Sequence, residues 1–96
     1  MGMNFEIQYH SLVVKKDIPA LPKQVRERVR NAIEVKLTAY PEQFGKPLRR
    51  SLKGYRKLRV GDYRIVFRIE NRIVRIFIIA HRSVVYSQKI AVRFMN

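Results

Sequence analysis

The residues best suited to chemistry in this chain gather around one dipeptide, Gly61-Asp62. Lys57 and Arg59 precede it at alternate positions, and Arg64 follows it. A glycine at the first central position of a two-residue loop suits a type II′ hairpin turn. Such a turn fixes the register of the strands it joins. Val60 is then expected to face Tyr63, Arg59 to face Arg64, Leu58 to face Ile65, and Lys57 to face Val66. Side chains alternate along a strand, so Leu58, Val60, Tyr63, Ile65 and Phe67 share the face that meets a core. Lys57, Arg59 and Arg64 share the other. Like charges directly opposite each other destabilise a sheet, and Lys57 stands only about 6.6–6.8 Å along the strand from Arg59. Cations converging with only the turn residue Asp62 to relieve them suit an oxyanion, most simply a phosphate. The competing reading is a solvated basic face. A second like-charge pair, Arg68 opposite Arg75, is expected farther along. It extends a track for a nucleic-acid backbone, or is a solvated pair, or is a pair neutralised by an acidic partner.

These strands need elements to hold them. Residues 4–9 alternate polar and apolar side chains, which predicts a strand. Ser11 is a natural N-cap for a short helix over Leu12–Asp17, which Pro19 and Pro22 end. Pro22 can open the next helix, and from Lys23 to Ala39 the apolar residues Val25, Val29, Ala32, Ile33 and Leu37 recur at helical spacing. Residues 40–53, with Pro41, Gly45 and Pro47, read as a connecting loop. Three strands follow, Arg56–Val60, Tyr63–Glu70 and Ile73–Ala80, the last two joined by Asn71-Arg72. An unbroken second hairpin places Phe67 opposite Ile76 and Ile65 opposite Ile78 on the core face. Val66, Phe77 and Ile79 go to the cationic face with Arg68 and Arg75. The same parity puts His81 on the cationic face and Arg82 on the core face. The tail Val84–Met95 is a short segment whose pattern does not decide for or against a helix. The fold class is therefore α+β: a strand, a helical hairpin, then an antiparallel meander and a short C-terminal segment. Residues 1–96 form one domain, with Met1-Gly2 having the look of an expression scar.

Composition narrows the function classes. Twenty-one Lys and Arg oppose seven Asp and Glu, a formal charge of +14 on 96 residues. Its spread along the chain points to a polyanion or an acidic protein as partner. There is no cysteine, so there is no disulfide framework and no thiol nucleophile. His10 and His81 lie far apart, and no acidic pair has metal-ligand spacing, so neither a metal nor another cofactor is expected. No apolar run approaches a membrane span, and no signal peptide is visible, which fits a cytoplasmic protein without a membrane partner.

The stretch Gly54-Tyr55-Arg56-Lys57-Leu58-Arg59-Val60-Gly61-Asp62-Tyr63-Arg64, with His81-Arg82-Ser83-Val84-Val85-Tyr86 after a hairpin, resembles the RelE/ParE superfamily of bacterial toxins. The order of elements agrees along essentially the whole chain, and the resemblance implies a RelE-like microbial RNase fold. The RelE branch consists of metal-independent messenger-RNA endonucleases that act in the ribosomal A site. There the ribose 2′-OH attacks the adjacent phosphate. The resemblance carries over to Lys57 and Arg59 before the turn, Arg64 after it, and Arg82 and Tyr86 near the C-terminus. It implies that Arg59 and Arg64 hold the scissile phosphate and its developing charge. Tyr86 would be the general base, its phenol lowered by the cations, with Lys57 sharing that role. Arg82 would serve the leaving 5′-oxygen. His81, the one candidate that titrates near neutrality unperturbed, competes with Arg82. Lys53, Tyr55, Arg68 and Arg75 are the expected RNA-binding residues around this centre.

The resemblance also implies partners: an acidic antitoxin that covers the site, and the ribosome with its messenger RNA. The alternative is the ParE branch, whose members inhibit DNA gyrase and lack the RNase residues. All five RNase positions are filled here by suitable residues, which favours the endonuclease.

Overall fold

The computed structural model describes residues 4–48, 54–87 and 93. Strand β1 (Glu6–Tyr9) leads into helix α1, which opens with a widened π-type turn over Val13–Asp17 and closes over Ile18–Ala20. Its first amide is not capped by Ser11. The Leu12 N–H donates to His10 Nδ1 at 3.1 Å, so the imidazole does the work expected of the serine. Pro19 sits inside the last turn of this helical run without ending it. The break comes at Leu21, held extended (ψ 138°) by the proline after it.

Helix α2 begins at Lys23, with Pro22 just outside it, and runs through Ala32 into a π-type stretch at Ile33–Leu37. It buries Val29, Ala32, Ile33 and Leu37, the face that the spacing predicts. Residues 40–53 are more structured than a loop. Pro41–Phe44 form a helical turn (α3) and Lys46–Pro47 an edge strand (β2). Then come β3 (Tyr55–Val60), β4 (Tyr63–Glu70) and β5 (Ile73–His81). The sheet order is β1-β5-β4-β3-β2, antiparallel except for β1, which runs parallel to β5. Both helices pack on one face over Leu58, Ile65, Phe67, Val74, Ile76 and Ile79.

The first hairpin has the expected register in full, with Gly61 at φ 59°. The second does not. Phe67 faces Ile76, but Val66 faces Ile78 and Ile65 faces Ile79, which leaves Phe77 as an extra residue in β5. This bulge inverts the parity of everything after it. Ile79 joins the main core, while Ile78 lies on the opposite face with Val66, both sealed under Val85. His81 pairs with Tyr63 on the helix side, not on the cationic face.

A nearly buried ion pair closes the bulge. The Ile79 N–H donates to Asp17 Oδ2 at 3.0 Å, and Arg93 Nη1 donates to the same oxygen at 2.6 Å and to the Phe77 carbonyl at 3.2 Å. Asp17 and Arg93 are each 9% exposed. Backbone groups that the bulge takes out of the ladder thus find side-chain partners.

Gly45 marks a close approach. A Cβ there would meet the Phe67 ring, with Cε1 at 2.8 Å. Phe67 is fully buried, so Gly45→Ala is expected to cost about 1–3 kcal/mol through overpacking. Urea unfolding checks this: the midpoint should fall with the slope unchanged, and an unmoved midpoint would mean that the ring yields freely.

Candidate phosphate site

The register brings Lys57, Arg59 and Arg64 to one cleft, as expected. Arg59 stands directly opposite Arg64, and β2 adds a second like-charge pair, Lys46 opposite Lys57. The cleft holds about 380 Å³ and is lined by Lys36, Phe44, Lys46, Lys57, Leu58, Arg59 and Arg64. Five of these are cations and none is a carboxylate. Sequence reasoning missed Lys46 and counted Lys36 only among the cations spread over the surface, not at this site. Lys46 sat in a presumed loop, and its neighbour Pro47 argued against a strand, although prolines do occur on edge strands.

Arg64 is held in place. Its Nη1 donates to the Gly61 and Tyr63 carbonyls, both at 3.0 Å, so the turn itself orients the guanidinium. These bonds occupy one nitrogen and leave the Nε–Nη2 edge to grip an oxyanion with two parallel bonds. Asp62 does not relieve this cluster. Its carboxylate pairs with Arg82 Nε at 3.6 Å, and the Arg82 N–H donates to the Asp62 carbonyl at 2.8 Å. Arg82 is thereby tied to the end of the first hairpin, beside the turn that carries Arg64.

Tyr86 is half exposed, and Arg64 is close enough to act on it electrostatically. The expected lowering of its phenol is overturned. Burial pushes the pKa up, and the Arg64 charge pulls it down by less. In the resting protein Tyr86 is a neutral phenol.

His81 is turned away from this cluster. Its ring meets Tyr63 edge-on at 5.3 Å, and Nδ1 accepts the Ser83 N–H at 3.1 Å with the Ser83 hydroxyl at 2.8 Å. The bond from Ser83 places the proton of the neutral ring on Nε2.

Arg68 does face Arg75, and Glu70 neutralises both, at 3.2 Å and 2.9 Å. Tyr55 lies edge-on against Phe77, with the Arg68 guanidinium 5.6 Å over its ring. Lys53 lies outside the described residues. Among the described residues no group of three or more His, Cys, Asp or Glu side chains could hold a metal ion, and no helix is long and apolar enough to cross a membrane.

A family model described as the ParE toxin of the type II toxin-antitoxin system, parDE, matches residues 9–86. The chain belongs to the RelE/ParE superfamily of type II toxins. Toxin RelE of Mycobacterium tuberculosis is 33% identical over 89 residues, 88% of this chain and 92% of that one. Toxin RelG of the same organism is 35% identical over 74 residues, 75% of this chain and 85% of that one. The RelBE2 toxin-antitoxin complex of M. tuberculosis contains a chain that superposes with a TM-score of 0.78 at 29% identity, covering 83% of this chain and all of that one. A mutant of E. coli RelE in the free state shares the fold at 16% identity, with a TM-score of 0.73 over 97% of this chain and 96% of that one. The RelE-like α+β architecture expected from the sequence is the one observed.

Proposed function

We propose that this toxin is a messenger-RNA endonuclease of the RelE type, acting without a metal in the ribosomal A site. The observation that carries the proposal is the carboxylate-free cleft in which Arg59 and Arg64 face each other beside Lys57 and Lys46. Aligned like charges on neighbouring strands cost stability, and a phosphate between them turns that cost into binding. In the reaction the 2′-oxygen forms a bond to phosphorus and the bond to the 5′-oxygen breaks, giving a 2′,3′-cyclic phosphate and a 5′-OH. Arg59 and Arg64 hold the non-bridging oxygens as charge develops on them. The phenolate of Tyr86, its minor form at rest, with Lys57 beside the phosphate, takes the 2′-OH proton. Arg82, tied to the turn, stabilises the charge on the leaving 5′-oxygen, which takes its proton from solvent water to become the 5′-OH. Arg68, Arg75, Tyr55 and Lys53 form the outer RNA contacts in this reading.

The RelBE2 relative was solved with its antitoxin, and an acidic antitoxin over this cleft is the natural partner here too. It would neutralise the cluster and so raise the melting temperature of the toxin.

The test is cell-free translation with mRNA ends mapped by primer extension. A-site cuts that vanish in Lys57→Ala and Tyr86→Phe support the proposal. Intact mRNA together with inhibited gyrase supercoiling would replace it with the ParE-like reading, which the family match keeps in view. The raised Tyr86 phenol adds a pH signature. A base that is protonated at rest works better as pH rises towards its pKa. Single-turnover cleavage by the wild type is therefore expected to rise about tenfold per pH unit up to the limit of ribosome integrity. A flat profile in the wild type would remove Tyr86 from the base role.

A further inference from the structure

The phosphate cleft continues past the reacting centre. β2 pairs only with Arg56 and Lys57, so among the described residues no strand covers the outer edge of β3 from Leu58 to Val60. The cleft wraps this open edge, reaching Lys36 on α2 and Phe44 at the end of α3. A second cleft of about 270 Å³ adjoins it on the helix side. It shares Lys36 and Arg59 with the first and adds Arg28 and Asn31. No carboxylate lines either one. Phe44 is 42% exposed, and the Lys36 ammonium stands 5.3 Å above its ring.

Exposed aromatics interleaved with cations along a groove are what single-stranded nucleic acid requires: a stacking platform for bases and charges for successive phosphates. We infer that Lys36, Phe44 and Lys46 form a flanking-nucleotide subsite. In it the RNA strand passes over the open edge of β3, one base stacks on Phe44, and the neighbouring phosphates meet Lys46 and Lys36. This inference deepens the endonuclease reading and rests on it for the identity of the strand. The absence of acidic side chains favours RNA phosphate over a generally solvated surface, and Asn31 supplies an amide for a base edge or a 2′-OH.

The test uses the full chain and fluorescent 2′-O-methyl oligonucleotides, which cannot be cleaved, in a length series followed by anisotropy across a range of salt. The Lys36→Ala/Lys46→Ala variant should lower the slope of log affinity against log salt by about 1.4, or about 0.7 for each lost phosphate contact. Phe44→Leu should weaken strands long enough to reach the ring by roughly tenfold and leave the salt slope and the shortest oligonucleotides unchanged. Equal binding of short and long strands in every variant, or no binding by the wild type, overturns the subsite. So does an effect seen only on affinity for an acidic antitoxin. Mapping cuts with the same variants separates the two ideas. Length-dependent binding without cleavage sinks the endonuclease and leaves the subsite standing, whereas cleavage with unaltered binding does the reverse.

Discussion

Arg64→Ala is expected to lower mRNA cleavage by about 10²–10³-fold, the usual loss on removing one preorganised charge donor from a developing oxyanion. The size of the effect follows from how Arg64 is held. Its Nη1 bonds to the Gly61 and Tyr63 carbonyls fix the guanidinium before substrate arrives, so little reorganisation opposes the reaction. Stability should move in a different way. Two hydrogen bonds are lost, one exposed and one part-buried, each worth about 0.5–1.5 kcal/mol, but the opposition of Arg59 and Arg64 is lost as well. These effects offset, and the net change should stay within about 1 kcal/mol. Arg64→Lys keeps the charge without the planar fork and should recover only part of the rate. Activity within a few-fold of wild type in Arg64→Ala would remove this residue from the reaction. A collapse in melting temperature would recast it as a structural cap of the turn.

The site was legible where local rules fix the geometry. Gly61-Asp62 sets the β3–β4 register by itself, and a period of two then assigns every side chain from Lys57 to Phe67 to a face. The second hairpin was legible only up to Ile76. From Ile76 to Ile79 the residues are all apolar, and such a run fits either parity, so nothing local announces that Phe77 is surplus. The deciding groups lie 62 and 16 residues away, where Asp17 accepts from the Ile79 amide and Arg93 donates to the Phe77 carbonyl. His81 and Arg82 were assigned to the wrong faces for this reason, and Ile78 and Ile79 exchanged roles with them. Lys46 was hidden for another: a two-residue edge strand carries no periodicity. The phenol of Tyr86 was misjudged because the sequence shows neighbouring charge and not burial, and here burial is the larger effect.

Asp17 should then be the most consequential residue outside the site. Asp17→Ala leaves the Arg93 guanidinium without its carboxylate and the Ile79 amide without an acceptor, in a place where both ion-pair partners are 9% exposed. Removing one partner of such a pair costs about 3–5 kcal/mol, a large share of the roughly 5–15 kcal/mol that holds a domain together. For a chain of this size the melting temperature should fall by on the order of 20 °C. Asp17→Asn keeps an oxygen for the amide and should lose less. Arg93→Met removes the opposite charge but leaves the Asp17–Ile79 bond. The double variant Asp17→Asn/Arg93→Met, with neither charge left to desolvate, should then be more stable than the sum of the two single losses by about 1–3 kcal/mol. The bulge links this pair to function, because it places His81 beside Tyr63 and brings Arg82 to Asp62. Without the pair, the unbulged register becomes competitive, and that register turns His81 towards the cations and Arg82 towards the core. Cleavage in Asp17→Ala should therefore fall even at temperatures where the variant is still folded. A melting temperature within a few degrees of wild type would show that the β5 bulge is held by core packing alone.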